Sequence, residues 1–133
     1  MANKSKYLIL AFFLLAFDQI IKNICLIKYP NQISINYGIF FGQITNNFIV
    51  ISLLLLGFII LIYLFIKYYK QNYLPIILIS CGALSNLADR IFYGGVVDYI
   101  NIGFWSRFNL ADVYIFAGVF IYLIDVLRKQ KTS

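Results

Sequence analysis

The residues able to do acid–base chemistry in this chain are few enough to name. Its only carboxylates are five aspartates, Asp18, Asp89, Asp98, Asp112 and Asp125, and it has no histidine and no glutamate. That inventory excludes serine or cysteine nucleophiles activated by a histidine base, zinc sites ligated by histidine, and acid catalysis through glutamate. Spacing suggests local roles for the rest. Asp18 and Lys22 are four apart, share a helix face and can neutralise each other. Asn86 and Arg90 have the same spacing, and Arg90 could equally extend its guanidinium to a membrane interface. Asn109 and Asp112 are three apart where a helix would begin, a pattern of capping residue and acid favoured by the helix dipole. Asp98 follows the Gly94-Gly95 turn, where an ordinary solvated loop acid is at home. Pairing and capping account for these residues one at a time, but not for the gathering of acids at one depth.

That depth follows from the elements that must carry them. Of the 133 residues, 62% are hydrophobic and 12% charged, with a mean hydropathy of +0.86. This is a membrane protein, with room for one domain (1–133) of a few helices at about 20 residues each. Apolar runs predict an all-α fold with four transmembrane helices over approximately 7–27, 48–66, 74–92 and 109–127. The first is expected to be retained, because LLAFDQIIK offers no small-residue cleavage site. Lys4, Lys6, Lys67, Lys70, Arg128, Lys129 and Lys131 fall on one side and Lys22, Lys28, Arg90 and Arg107 on the other, which places both termini in the cytoplasm. The formal charge of +6 thus reads as membrane orientation and not as nucleic-acid binding. Between the first two spans, Ile33, Ile35, Tyr37 and Ile39 alternate with Ser34, Asn36 and Gly38, a period of two that predicts a small extracytoplasmic strand or hairpin. A short outer loop with Phe104, Trp105 and Phe108 would anchor at the interface. Cys25 and Cys81 lie in different spans and are expected to be free thiols.

With four alternating spans, Asp18, Asp89, Asp98 and Asp112 all come to the outer half, and only Asp125 lies at the cytoplasmic end. An ionised aspartate deep in a bilayer costs about 2.5–3.5 kcal/mol, so such residues are paired, hydrated or functional. Two functional classes are open to such a set of acids: a metal-dependent phospholipid transferase with Asp89, Asp98 and Asp112 around Mg²⁺, and a small transporter with an aspartate relay. The transporter fits poorly, since the second span carries no charge and no polar path crosses to the cytoplasm.

The segments CGALSNLADRIFYGGVVDYI and FNLADVYIFAG resemble the two C-terminal signatures of the lipoprotein signal peptidases, also called signal peptidase II. DQIIK and NYGIFFG are similar to that family's other two motifs, in the same order and across essentially the whole chain. The resemblance implies an aspartyl endopeptidase of the bacterial cytoplasmic (inner) membrane that cuts prolipoproteins on the N-terminal side of a diacylglyceryl-modified cysteine, at the extracytoplasmic side. It implies Asp98 and Asp112 as the catalytic pair, with Asn36, Asn86, Asp89, Arg90, Asn109, Asp18 and Lys22 at supporting positions. No metal or cofactor is implied. The expected partners are the prolipoprotein substrates and membrane lipids, with no nucleic acid; a monomer is expected, although nothing in the sequence sets the oligomeric state. Cys81 and Ser85 stand where the family usually has glycine, and Ile39-Phe40 where a pair of alanines is common. Hydrolysis by two carboxyl groups needs one ionised to take a proton from water and one neutral to donate. Like charges at short range keep one proton on the pair.

Overall fold

The computed structural model describes residues 4–38, 49, 52, 55–59, 62–63, 73–103 and 107–130. Its elements are α1 (Lys4–Lys28), a 3-10 turn at Pro30–Gln32, β1 (Ser34–Asn36), α2 (Leu74–Tyr93), β2 (Val96–Asp98) and α3 (Leu110–Gln130). Within them, Ser5–Lys28, Leu74–Tyr93 and Leu110–Arg128 are each long and apolar enough to cross a bilayer. These three helices match the first, third and fourth expected spans to within a few residues at each end. The second, 48–66, falls largely outside the described residues, although those described within it are helical. Of the aromatic anchor, Phe104 and Trp105 also lie outside the described residues.

Burial is inverted relative to a protein that folds in water. Large apolar side chains such as Leu8, Phe12, Phe13, Phe17 and Ile20 on α1 and Phe116 and Phe120 on α3 are exposed, whereas Asp18, Lys22, Asp89 and Asn109 are completely buried. A lipid-facing surface accepts the first set without cost, while the second must find partners within the protein. The two cysteines are free.

α2 begins with Pro75 in its first turn, where a missing N–H loses nothing. It ends at Gly94, whose φ of 76° is the left-handed conformation that lets its N–H return to the Arg90 carbonyl at 3.1 Å. That turn delivers the chain directly into β2. β1 and β2 pair antiparallel, with Ser34 opposite Asp98, Ile35 opposite Val97 and Asn36 opposite Val96. The expected strand is thus present over Ser34–Asn36, and it pairs with the loop after α2. The buried Asp89 carboxylate accepts the Val97 N–H at 3.1 Å, which holds β2 against the end of α2. Beyond β2, Ile100 and Phe108 exchange both backbone bonds, at 2.8 and 3.1 Å, and bring the chain back to the start of α3.

α2 and α3 approach closely because glycine stands at two crossing points. A Cβ on Gly82 would strike the Ala111 carbonyl oxygen and come within 2.7 Å of Ile115 Cγ1; one on Gly118 would come within 2.8 Å of the Pro75 carbonyl. Backbone cannot move aside as a side chain tip can, so the helices would have to separate next to Asp112. Gly82→Ala is expected to destabilise the protein by about 1–3 kcal/mol, seen as a lower unfolding midpoint in detergent micelles. An unchanged midpoint would mean that the helices are not packed this tightly.

Candidate active site

The site is assembled around a buried ammonium. Lys22 Nζ lies 2.7 Å from Asp18 Oδ2 and 2.7 Å from Asp89 Oδ2, with all three side chains inaccessible to solvent, and donates to Asn86 Oδ1 at 3.1 Å. An isolated charge here would be prohibitive, but a cation shared between two carboxylates and an amide oxygen has partners for each donor. The remaining lone pairs of the two acids are also used. Ser85 Oγ donates to Asp18 Oδ2 at 2.6 Å, and Gln19 Nε2 donates to Asp89 Oδ1 at 2.8 Å and to Ser85 Oγ at 2.8 Å.

The same cluster supplies the start of α3. A helix begins with N–H groups that have no intrahelical acceptor, and here the first four are all satisfied. The Asn109 N–H donates to Asp112 Oδ2 at 3.1 Å and the Asp112 N–H to Asn109 Oδ1 at 3.0 Å, a reciprocal capping box. The Leu110 N–H donates to the Tyr99 hydroxyl at 3.2 Å. The Ala111 N–H donates to Asp18 Oδ1 at 3.2 Å, a cap provided by α1. The Tyr99 hydroxyl in turn makes a long donation of 3.4 Å to Asp18 Oδ1. Burial, and then the Asp18 charge, raise its proton affinity well above that of an ordinary phenol, so it stays neutral.

Asn109 then joins the two outer acids. Its Nδ2 donates to Asp98 Oδ1 at 2.8 Å and to Asn86 Oδ1 at 3.1 Å, while Asn86 Nδ2 donates to Asp112 Oδ1 at 2.8 Å. Asp98 is 4% exposed. Burial first, and then the Asp112 charge, push its carboxyl from the ordinary range up to about 6, against the opposing hydrogen bonds of Asn109 and Asn36 and the Lys22 charge. Arg90 is buried, within electrostatic reach of Asp98, Asp89 and Asp112. Its Nη2 donates to the Gly38 carbonyl at 3.2 Å, while Nε and Nη1 have no partner among the described residues. Beside it lies a groove of about 180 Å³, walled by Leu55, Phe58, Leu84, Leu87 and Ile115, with Asn86 and Arg90 as its polar lining.

The structure brings Asp18, Lys22, Asn86, Asp89, Arg90, Asp98, Asn109 and Asp112 into one network, with Asn36 at its edge on β1. Asp125 lies about 20 Å away along α3, at 1.5 Å per residue. Three local readings change. Asp98 is buried and not a solvated loop acid, Arg90 does not extend to an interface, and Asn86 bonds Lys22, Asp112 and Asn109 in place of its helical neighbour Arg90. Gln19, Ser85 and Tyr99 were not among the expected site residues. Ser85 had one readable signal: it stands four residues before Asp89 on the same face of α2.

This geometry can be set beside known proteins. A model of the family described as signal peptidase (SPase) II matches residues 10–128. The chain is 36% identical over 121 residues to the lipoprotein signal peptidase of Clostridium novyi, covering 85% of this chain and 80% of that protein. It is 35% identical over 134 residues to that of Thermodesulfovibrio yellowstonii, covering 94% and 86%. A bacterial membrane enzyme solved by the in meso method at 2.3 Å resolution superposes with a TM-score of 0.81 at 27% identity, over 97% of this chain and 92% of that one. With the family model reaching from within α1 to within α3 and taking in both strands, the chain belongs to the signal peptidase II family, the lipoprotein signal peptidases.

Proposed function

We propose that this peptidase cuts bacterial prolipoproteins immediately before a diacylglyceryl-modified cysteine, with Asp98 and Asp112 as a catalytic aspartate pair. The observation that carries the reading is the single Asn109 side chain, which bonds Asp98 through Nδ2 and receives the Asp112 N–H on Oδ1. Asn109 thereby links the two aspartates, and the groove reaches them through Asn86, which lines it and donates to Asp112. One ionised carboxylate takes a proton from water as its oxygen attacks the scissile carbonyl; the neutral one protonates the carbonyl oxygen. Return of a proton to the amide nitrogen breaks the C–N bond, leaving the signal peptide's carboxylate and the lipidated cysteine's free amine. The unpartnered Arg90 N–H groups and Asn36 are suited to hold backbone carbonyls of an extended substrate strand, and the groove walls to hold its apolar side chains. The distribution of Lys and Arg places both termini in the cytoplasm of a four-span protein, so that the pair opens to the outer face of the cytoplasmic membrane. A single copy contains every group the reaction uses.

A cation site built from Asp89, Asp98 and Asp112 is disfavoured by what Asp89 already does. Its carboxylate accepts from Gln19, Lys22 and the Val97 N–H, leaving little capacity for a hard dication that wants near-octahedral oxygen ligands.

Purified protein incubated with a diacylglyceryl-modified prolipoprotein is expected to yield the shortened product. Asp98→Asn and Asp112→Asn should each lower turnover by about 10³-fold or more while the protein still folds, and the double variant should be no worse than either single. Substantial turnover by one single variant would remove that residue from the chemistry.

Activity should persist in excess chelator. It should also depend on pH with a defined sign: the Asp98 carboxyl, raised to about 6, loses its proton as pH rises through that value, so kcat/KM should fall on the alkaline side with a midpoint near 6. Loss of activity in chelator with recovery on adding Mg²⁺ would favour a metal-dependent transferase.

A further inference from the structure

We infer that Tyr99 is a positioning residue for the cleavage reaction: its hydroxyl ties the end of β2 to the first turn of α3 and so fixes the spacing of Asp98 and Asp112. This rests on the catalytic role proposed for the two aspartates and goes beyond it by adding a residue that acts through them.

The two aspartates belong to different elements, Asp98 to the last position of β2 and Asp112 to the first turn of α3, and a loop runs between them. Among the described residues, three links span that gap. Ile100 and Phe108 exchange both backbone bonds, at 2.8 and 3.1 Å. Asn109 Nδ2 donates to Asp98 Oδ1 at 2.8 Å. The third link is the phenol. Tyr99 directly follows Asp98, and its hydroxyl accepts the N–H of Leu110, two residues before Asp112, at 3.2 Å. A backbone N–H belongs to the helix that it starts, so a bond to it carries the whole first turn, Asp112 included. Tyrosine has a rigid ring on only two torsions, so a hydroxyl held at its tip leaves its own backbone, and that of Asp98 beside it, little slack.

The polarity of the hydroxyl is set by its two neighbours. The Leu110 N–H can only donate, and the Asp18 carboxylate, held by the Lys22 ammonium at 2.7 Å, can only accept. The phenolic proton therefore points to Asp18 Oδ1, over a long 3.4 Å, and a lone pair points to α3. The same Asp18 oxygen accepts the Ala111 N–H at 3.2 Å, and Ser85 Oγ holds the other at 2.6 Å. Tyr99 thus rests on a carboxylate anchored to both α1 and α2. It stays neutral beside that charge, with its proton and an acceptor site engaged inside the network, so it works through the aspartates and not on the substrate.

Loss of the hydroxyl has two separable consequences. It leaves the Leu110 N–H without its acceptor, which weakens folding. It also frees Asp98 and Asp112 to shift against each other, which slows turnover. Leu110 is the first residue of α3, a position where proline suits the helix and removes the N–H instead of orphaning it. Tyr99→Phe breaks the tether and leaves a donor unpaired, whereas Leu110→Pro breaks the same tether and leaves none.

The test uses the full chain in detergent micelles and measures its unfolding midpoint, together with kcat and KM for a diacylglyceryl-modified prolipoprotein. Each single variant should lower kcat by about 10- to 100-fold with KM unchanged, the loss expected of misplaced reacting groups. The double variant should be no slower than the slower single, because the same bond is lost only once. Only Tyr99→Phe should lower the unfolding midpoint. Wild-type kcat in Leu110→Pro, or a loss there matched by a lower midpoint, would reduce Tyr99 to a helix cap and overturn the inference. Losses that multiply in the double variant, or a raised KM with kcat intact, would overturn it too. If Tyr99→Phe does not fold, Leu110→Pro decides alone. Asp98→Asn and Asp112→Asn are assayed beside them. Turnover retained in those variants sinks the catalytic pair itself, whereas its loss there with wild-type kcat in Leu110→Pro sinks only the part given to Tyr99.

Discussion

The structure depends on satisfying one ammonium group in a setting where no water can do so. Removing one partner from a buried ion pair costs about 3–5 kcal/mol because a charge is left uncompensated. Lys22 is held by Asp18 and Asp89 at 2.7 Å each, and each of its partners is also bonded to a different part of the fold. Asp18 reaches the first turn of α3 through the Ala111 N–H. Asp89 reaches β2 through the Val97 N–H. Asn86 reaches Asp112. A single cation thereby ties three helices and a strand together, and the outward-facing apolar side chains have no comparable force to bring them together, since lipid solvates them as well as protein does.

The start of α3 shows how economy of donors produces function. Four backbone N–H groups need acceptors at a place where the chain returns from a loop. Two are met by the Asn109–Asp112 capping box, one by Tyr99 and one by Asp18. Asp112, one of the proposed catalytic pair, is thus also part of the helix cap, so its position is set by the backbone geometry of α3. Asn109 does the same for Asp98, since its oxygen is spent on the cap and its NH2 must look outward to Asp98 and Asn86.

Much of this was legible from residue type and spacing, and what was not has a physical cause. Apolar runs locate three helices within a few residues because a bilayer imposes length, and the i,i+4 relation of Asp18 and Lys22 and the i,i+3 relation of Asn109 and Asp112 are local facts. Contacts across elements carry no such periodic mark. Nothing near Gln19 says that it meets Ser85 and Asp89 some 66 to 70 positions away, and Tyr99 reads as one more aromatic among 25 Phe, Tyr and Trp residues. The alternation over 33–39 marks more residues than the described strand, Ser34–Asn36, because the pairing there is with Val96–Asp98 alone; Ile39 lies outside the described residues. Spacing alone leaves Arg90 free to reach an interface, since its own helix offers no reason to stay, and only the resemblance puts it at the site. It stays because Asp89, Asp98 and Asp112 surround it with negative charge and Gly38 accepts from it.

A cluster that is so completely paired would be inert if every polar group were satisfied. The exceptions lie on one side. Arg90 keeps two nitrogens, Nε and Nη1, without partners among the described residues, and it lines the same groove as Asn86, whose amide touches Asp112. A buried guanidinium with unused donors is costly in an empty site and favourable once backbone carbonyls fill it. Substrate binding would then relieve a penalty carried by the free protein. The division of labour follows from this: the Lys22 side of the network is fully paired and gives the fold its order, while the Arg90 side keeps unused donors among the described residues, with Asn86 and Asn109 joining it to the aspartate pair.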